Sequence, residues 1–371
     1  MKSVPKNTAN KSAVSLFAGA GGMDVGFERA GFNVVWANDI EPQSCSTYEA
    51  NLGSQIVCGD INEYLSSLNQ YAGIDLVFGG PPCQGFSVAG KMDPSDERSQ
   101  LVQSFMKAVD IIRPAAFVME NVKALATLTK FQLVREDLIR KAQDMGYYVE
   151  LLLLNSRDFG VPQSRERMFL VGLLDPQIEA RLTDSTDQFK RESPTVRDVI
   201  KPLGRAGTET NSRVCRAKIT IAQSPVMRRS PYAGMMFNGQ GRPLNPDSYS
   251  STLHASMGGN KTPIVDEDHL YDQAPSWVEE YHAYLMSGGK PYPLNSAPSR
   301  LRRLTVDEAI HLNTFPKNYE FVGGQSSMFR QIGNAVPCNL AYAVGSLVCK
   351  ALDNELSEPI YEEHQNMSLA I

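Results

Sequence analysis

The first half of the chain alternates short apolar runs with stretches of helical character, and this alternation constrains the fold more than any other feature. The apolar runs predict strands at residues 13–17, 33–37, 55–58, 74–78, 115–119, 149–154 and 168–173. Helices are predicted between them at residues 23–30, 41–51, 99–112 and 131–145. Apolar strands that alternate with helices are typical of a parallel sheet covered on both faces. We therefore expect an α/β fold that binds ligands at the carboxyl ends of its strands.

The alternation stops at about Pro176, where Pro, Gly, Ser and Asn become frequent. This composition predicts a second, smaller and loop-rich domain. A capping box of Thr305 and Glu308 then predicts a helix at 305–313, and an apolar helix follows at about 339–352. Because the last helix needs a core to cover, we expect the chain to return to the first domain. The sequence therefore predicts two domains, residues 11–175 and 176–300, with residues 301–353 as the return segment that completes the first domain.

A glycine-rich turn follows the first strand and opens a helix, with glycines at positions 19, 21 and 22. Glycines there let the backbone approach a ligand closely. Asp39 ends the second strand, where a carboxylate can accept hydrogen bonds from ribose hydroxyls. Asp60 follows the third strand and is a candidate for an adenine amino group. The pattern predicts a nucleoside cofactor, and Asp24 at the third small-residue position of the dinucleotide fingerprint argues against NAD.

Reactive side chains follow two later strands. Cys83 lies in a Pro-Pro-Cys-Gln run directly after the fourth strand, and Glu120 ends the fifth. Both are placed at the ligand end of the sheet, although a buried cysteine and a helix-capping acid are the structural alternatives. Arg165 and Arg167 are two residues apart on an extended segment, so their side chains point the same way. They can face an anion or a base edge, or pair with Glu166 at the surface.

Charge is unevenly distributed. The net charge is −5, but residues 197–261 hold ten basic and three acidic residues, a local +7 that leaves −12 elsewhere. A basic segment on an acidic body fits a surface that faces a polyanion, and a solvated loop is the alternative. The six cysteines form no CxxC pair, so neither a zinc site nor a disulfide framework is predicted. No sufficiently long apolar run predicts a membrane span.

Taken together, these motifs resemble the DNA cytosine methyltransferases that modify carbon 5. The order and spacing of six blocks carry the resemblance, and they span residues 16–337. The blocks are Phe17-Ala18-Gly19-x-Gly21-Gly22, Pro81-Pro82-Cys83-Gln84, Glu120-Asn121-Val122, Gln163-x-Arg165-x-Arg167, Arg303-Leu304-Thr305-x-x-Glu308 with Phe315-Pro316, and Gln331-Ile332-Gly333-Asn334-Ala335-Val336-Pro337. One position is less typical, because Ile40 stands where several relatives place a larger aromatic against adenine.

The resemblance implies a Rossmann-like sheet that binds S-adenosylmethionine, with a target-recognition domain. It implies that Cys83 adds to the flipped cytosine, that Glu120 holds the ring and that Arg165 contacts the base carbonyl. The implied cofactor contacts are Phe17, Gly19, Gly21, Gly22, Asp39, Ile40, Asp60, Ile61 and Asn334. The expected DNA contacts are Gln84, Ser87, Arg167, Arg228, Arg229, Thr252 and Leu253. Residues 84–100 are expected to close over DNA.

The same resemblance implies double-stranded DNA as partner and a cognate restriction endonuclease, and we expect a monomer. The polar first residues, which lack the apolar stretch of a signal peptide, the scattered cysteines and the absence of a long apolar run predict a cytoplasmic location with neither a metal nor a membrane. Three alternatives stay open at this point. They are the transfer-RNA branch of the family, against which Gly85 and the basic insert argue, a nicotinamide-dependent oxidoreductase, and a catalytically silent DNA-binding relative.

Overall fold

The structure, a computed structural model, describes residues 11–82, 100–174 and 182–356. Seven strands form its main sheet, and an eighth, very short strand, β7, precedes the last of them. In chain order, strands β1 to β8 are Lys11–Leu16, Phe32–Asp39, Ile56–Cys58, Leu76–Gly79, Ala116–Val122, Tyr148–Asn155, Gln163–Ser164 and Glu166–Leu173. The order across the main sheet is β3-β2-β1-β4-β5-β8-β6.

The inner strands end at one common edge. Leu16 of β1 lies opposite Asn38 on one side and Gly79 on the other, and Gly79 in turn lies opposite Met119 of β5. The segments that follow β1, β2, β4 and β5 therefore begin side by side. This edge is where the sequence predicts the ligands.

The prediction of a parallel sheet is wrong for one strand. Strand β8 runs antiparallel to both of its neighbours, β5 and β6. The physical reason lies in the connection, because residues 156–165 contain one turn of 3-10 helix and the strand β7 but no crossover helix. Without a crossover, the chain reverses direction and pairs antiparallel. As a consequence, the beginning of β8, with Arg167, lies at the same edge as the ends of β4 and β5.

Helices cover both faces of the sheet. Helices α1 to α6 are Gly22–Arg29, Pro42–Leu52, Ile61–Tyr64, Gln100–Ile112, Lys123–Thr127 and Gln132–Asp144. On one face Phe27 of α1 stacks on Phe78 of β4 at 4.4 Å between ring centroids. On the other face Phe105 of α4 contacts Phe117 of β5. The two buried clusters on opposite faces are the layers that the alternating pattern predicts.

Residues 182–303 contain short elements. They are α7 Leu182–Ser185, α8 Val196–Ile200, β9 Ile221–Val226, β10 Met235–Phe237, β11 Ser250–Ser251, β12 Ile264–Asp266, α9 Glu267–Asp272, α10 Trp277–Met286 and β13 Leu301–Arg303. One small apolar cluster, which includes Met236, Val278 and Tyr281, stabilises this part. A larger cluster joins residues of this part, such as Val196 and Leu253, to residues 304–338. Helix α10, which follows a Ser276 N-cap, was not predicted.

Three helices complete the chain: α11 Val306–Leu312, α12 Gln325–Asn334 and α13 Cys338–Leu352. The capping box of Thr305 and Glu308 is confirmed at the start of α11. Helix α13 packs on the sheet face that α1 covers, where Val344 joins the cluster of Phe27. Residues 325–352 are long and apolar enough, by length and composition alone, to cross a membrane, but they form two helices and most of the stretch is buried.

Candidate active site at the carboxyl edge of the sheet

The glycine-rich turn after β1 is held against the end of β2. Phe17 and Gly19 both adopt positive φ angles, of 55° and 56°. The Ala18 amide donates to the Asn38 carbonyl at 2.9 Å, and the Gly19 amide donates to Oδ2 of Asp39 at 2.8 Å. The turn is thus fixed by hydrogen bonds to the neighbouring strand.

The three glycines of this turn have different surroundings. A Cβ on Gly21 would lie 2.8 Å from Oη of Tyr319, and one on Gly22 would lie 2.7 Å from the carbonyl oxygen of Val336. Both positions therefore need glycine because other parts of the chain approach closely. A Cβ on Gly19 would meet nothing within 4 Å. Gly19 is the glycine that borders open space, and it is the one best placed to face a ligand.

Asp39 and Ile40 form the adjoining part of this opening. Oδ1 of Asp39 accepts the Glu41 amide at 2.8 Å, while Oδ2 accepts the Gly19 amide. Burial raises the pKa of Asp39, although these backbone amides favour its charged form. The Ile40 side chain is 67% exposed. A fixed carboxylate can accept hydrogen bonds from a ribose. The exposed apolar side chain beside it can cover an adenine ring.

The remaining cofactor candidates lie at the ends of other elements. Asp60 caps α3 by accepting the Asn62 amide at 2.9 Å. The Ile61 side chain is only 2% exposed and lies in the core, so its main chain is the part available to a ligand. Asn334 is exposed, and the two residues that follow it, Ala335 and Val336, lie against Gly22. The return segment therefore reaches the glycine-rich turn.

On the other side of the edge, the segments after β4 and β5 are fixed together. The carboxylate of Glu120 lies beside Gly80, where a Cβ would be 2.9 Å from Oε2. The Asn121 side chain donates to the Pro81 carbonyl at 3.3 Å. The Pro-Pro run thus stands next to the carboxylate. Cys83, Gln84 and Ser87, together with the expected closing segment up to residue 99, lie outside the described residues, and Gln100 begins α4.

Glu120 forms an ion pair with Arg167. Oε1 of Glu120 is 2.9 Å from Nε of Arg167, and both side chains are about nine-tenths buried at 13% and 14% exposure. Burial raises the pKa of Glu120, while the charges of Arg167 and Arg165 oppose that shift. Glu166, the alternative partner in the sequence analysis, pairs with Lys123 at 2.8 Å. Glu120 thus lies beside two arginine side chains, of which Arg167 contacts it directly.

Arg165 is an interior cross-link. It is 2% exposed, and its amino groups donate to the carbonyls of Leu253 and Gly333 at 3.0 Å and of Asn334 at 3.3 Å. Its Nε is buried without a hydrogen-bond partner in the described part of the chain. Burial, reinforced by the charge of Arg167, lowers the pKa of Arg165. Sequence reasoning placed Arg165 on the base and Arg167 on DNA, whereas the structure brings Arg167 to Glu120.

Thr252 and Leu253 are tied to the segment that carries these arginines. Strand β11, which precedes them, pairs with β7. Oγ1 of Thr252 donates to the Ser164 carbonyl at 3.0 Å, and the Leu253 amide donates to Oε1 of Gln163 at 3.0 Å. The Leu253 side chain has no exposed surface. Thr252 and Leu253 thus anchor residues 182–303 to the site, and of the two only Thr252 is partly accessible.

The basic segment divides into paired and exposed residues. Three of its arginines form ion pairs: Arg197 with Asp247, Arg205 with Asp272 and Arg213 with Asp307. Arg228 and Arg229 are exposed in the turn between β9 and β10. The local charge of +7 is thus partly neutralised, and these two side chains are among those free to meet an anion.

Sequence reasoning missed two buried amides that hold the site together. Gln163 has no exposed surface and donates from Nε2 to Oδ1 of Asn313 at 3.0 Å. Asn313 in turn donates to the carbonyl of Ile332, just before the exposed Asn334. Gln163 begins one of the six matched blocks, so the signal was present, but its partners 90 and 150 residues away were not visible.

Comparison with known proteins adds a family match. Residues 12–350 match the model of the family described as C-5 cytosine-specific DNA methylase. The chain is 33% identical over 342 residues to the type II methyltransferase M.NgoFVII of Neisseria gonorrhoeae, covering 89% of this chain and 84% of that protein. It is 30% identical to the type II methyltransferase M.FnuDI of Fusobacterium nucleatum, covering 96% and 98%.

Solved structures share the fold. The Dnmt2 methyltransferase of S. pombe superimposes with a TM-score of 0.65 at 20% identity, covering 93% of this chain and 98% of that one. The methyltransferase EhMeth of Entamoeba histolytica superimposes with a TM-score of 0.65 at 16% identity, covering 95% and 100%.

Proposed function

Because the chain belongs to the C-5 cytosine-specific DNA methylases, which use S-adenosylmethionine to methylate carbon 5 of cytosine in DNA, we propose that it acts through Cys83 on one flipped cytosine of its target sequence. The contact between Glu120 and the Gly80–Pro82 segment carries the proposal. Cys83 is the next residue in the chain, and we propose that its thiol acts on the base that Glu120 holds. The nicotinamide alternative is excluded by the family match.

The proposed reaction proceeds through a covalent bond between Cys83 and the cytosine ring. The Cys83 thiolate forms a bond to carbon 6, and the electrons of the 5,6 double bond move toward carbon 5 and the ring. Glu120, whose pKa is raised by burial, takes up a proton from solvent and donates it to ring nitrogen 3, which neutralises the negative charge that develops on the ring. S-adenosylmethionine would supply the methyl group to carbon 5 and keep the electron pair of the broken bond on its sulfur. A water molecule then takes the carbon 5 proton, the electrons of that C–H bond restore the 5,6 double bond, and Cys83 leaves as the thiolate. The proton on ring nitrogen 3 returns to Glu120.

Arg167 and Arg165 have separate proposed roles. Arg167 contacts Glu120 directly, so it is the arginine that we propose contacts the carbonyl oxygen of the base. Arg165 positions that segment by fixing it to Leu253 and Gly333. The positive charge of Arg167 beside Glu120 favours the electron-rich ring that forms when the thiolate adds.

The residues at the β1–β2 edge fit an adenosine-bearing cofactor. Gly19 borders open space, Asp39 offers carboxylate oxygens and Ile40 offers apolar surface. We propose that these three hold the cofactor with Phe17, Asp60, the Ile61 main chain and Asn334. Gly21 and Gly22 shape the turn.

Residues 176–300 are the proposed target-recognition region, with Arg228, Arg229 and Thr252 facing DNA, and residues 11–175 and 301–353 the catalytic part. Gln84 and Ser87 are proposed to contact DNA around the flipped base. We further propose that the protein is a cytoplasmic monomer, and that it protects DNA against a cognate restriction endonuclease, as type II methyltransferases with such a partner do.

Methylation of genomic DNA by the purified protein tests the proposal. The protein is incubated with S-adenosylmethionine and either DNA or transfer RNA, and the products are sequenced after bisulfite treatment. We expect 5-methylcytosine at one position of one short sequence in DNA, and none in transfer RNA. Methylated transfer RNA with unmodified DNA would overturn the proposal, and so would full activity in a Cys83→Ser variant.

A further inference from the structure

His254 lies at the rim of the site on a fixed backbone. The carbonyl of the preceding residue, Leu253, accepts a hydrogen bond from the buried Arg165. The His254 main chain also lies directly against α12, because a Cβ on Gly333 would overlap it. His254 nevertheless keeps part of its surface exposed. The structure thus holds an imidazole at the surface with little freedom in its main chain.

Positive charges from two segments act on this imidazole. Arg165, which donates to the Leu253 carbonyl, and Arg167 belong to the β7–β8 segment, and Arg242 and Lys261 belong to the recognition region. The turn that His254 begins lies against the segment of Lys261, because the Met257 amide donates to the His254 carbonyl at 3.1 Å and the Gly258 amide donates to Oγ1 of Thr262 at 2.9 Å. Arg242 and Lys261 are exposed, and their segments run side by side, with the Gly241 amide donating to the Asn260 carbonyl at 3.1 Å. Burial, followed by these four charges, lowers the pKa of His254. The charged groups with the largest effect on His254 are all positive, and such a group of cations attracts an anion.

We propose that His254 is a proton-linked phosphate contact, which takes up a proton when a DNA phosphate binds beside Arg242 and Lys261. The proposal rests on DNA as the substrate of the proposed function. A phosphate offsets the four cations and adds a negative charge, so the charged imidazole is favoured in the complex. Arginine and lysine contacts alone would make binding depend on salt but not on pH near neutrality.

Because proton uptake by His254 is coupled to DNA binding, DNA affinity depends on pH. Since the complex holds its proton at a higher pH than the free protein does, DNA affinity rises as pH falls through the pKa of the complex. It levels off below the pKa of the free protein. Between the two values the affinity changes by up to about tenfold per pH unit, the limit for one proton.

Fluorescence anisotropy of a labelled duplex, carrying the sequence identified by bisulfite sequencing, measures the linkage from pH 5.5 to 8.5 at constant ionic strength. We expect the wild-type Kd to rise on the order of tenfold between pH 6 and pH 8. His254→Asn, which stays neutral, should bind weakly at all pH values. His254→Lys, which stays charged, should bind tightly at pH 8 with a salt slope about one unit steeper than His254→Asn.

His311→Asn is the matched control, because it removes another imidazole, whose Nδ1 contacts the Asp307 carbonyl within α11. It should keep the wild-type pH dependence, and thermal melting checks that each variant is folded. A pH dependence that is flat in the wild type, or that persists in His254→Asn, overturns the inference. A failure of the proposed methyltransferase function is distinguishable from a failure of this inference, because the wild-type protein would then form no 5-methylcytosine at saturating DNA.

Discussion

The cofactor side and the base side of the strand edge are built in different ways. At the cofactor side, Gly19 and Asp39 are 20 residues apart and are joined through a backbone amide. At the base side, Arg165 reaches a carbonyl 168 residues further along the chain. The first is a local structure of β1 and β2, whereas the second joins the sheet, the recognition region and α12.

This difference predicts how each side responds to substitution. A change at the cofactor side should alter one binding step and leave the rest of the molecule in place. A change at the base side should affect either chemistry or folding, depending on whether the side chain faces the pocket or cross-links distant segments. Five experiments test this contrast.

The largest effect is expected for Cys83→Ser. Loss of a covalent nucleophile should lower methyl transfer by orders of magnitude, to below about 1% of wild type. The reason is that a serine hydroxyl, which stays protonated near neutral pH, is a much weaker nucleophile toward carbon 6 than a thiolate. S-adenosylmethionine affinity, measured by calorimetry, should stay close to wild type. A parallel loss of cofactor affinity would show that the two sides are not independent.

Arg165→Met and Arg167→Met separate folding from chemistry on the base side. Arg165→Met leaves the carbonyls of Leu253, Gly333 and Asn334 without their donor, so the free energy of unfolding should fall by about 4 kcal/mol. Arg167→Met should keep its melting temperature within a few degrees and lose at least about tenfold in methylation rate. Equal losses of stability in urea titrations would contradict the assignment of separate roles.

Asp24→Asn tests a buried acid under the cofactor turn. Asp24 has no exposed surface, accepts a hydrogen bond from Tyr48 at 3.0 Å, and its pKa is raised by burial to about 7. Since the unfolded chain deprotonates near its ordinary value, the stability of the neutral form is complete below about pH 4 and is lost as pH rises through 7. Relative to wild type, Asp24→Asn should therefore gain on the order of 3 kcal/mol between pH 4 and pH 8.

Denaturant titrations at several pH values measure that gain. A difference between Asp24→Asn and wild type that does not change with pH would show that the carboxylate is already charged in the folded protein.

Asp39→Ala should weaken S-adenosylmethionine binding by about 1.5–3 kcal/mol, because a carboxylate that fixes Gly19 and accepts from a ribose is removed. DNA affinity should change less. Calorimetry with the cofactor and anisotropy with DNA measure both constants, and unchanged cofactor affinity would move the ribose contact to another residue.

The smallest effect is expected for Arg228→Ala with Arg229→Ala. If both side chains meet phosphates, the slope of log affinity against log salt should flatten by roughly one unit for each contact. If one of them contacts a guanine edge, the methylated sequence should relax at one position, at a cost of about 1–3 kcal/mol of discrimination. An unchanged slope with an unchanged methylation pattern would remove these residues from the DNA face.

The contrast also explains which features could be predicted from sequence. The strand predicted at 33–37 lies within β2, and the strand predicted at 74–78 overlaps β4, because apolar runs report burial directly. The reversed direction of β8 was missed, since it depends on a short connection with no pattern of its own. The buried positions of Arg165 and Leu253 were missed because their partners come from segments far away in the chain.

The packing of α13 beside α1 has a consequence for synthesis of the protein. Phe27 shares its core with Leu340, Val344 and Val348, so the layer behind the cofactor turn stays incomplete until the last helix has left the ribosome. At ordinary translation rates the residues between the two helices take roughly 15–60 s to make. For that time the nascent chain exposes an apolar surface suited to a chaperone, and a chain stopped before residue 338 would have no stable site for the methyl donor.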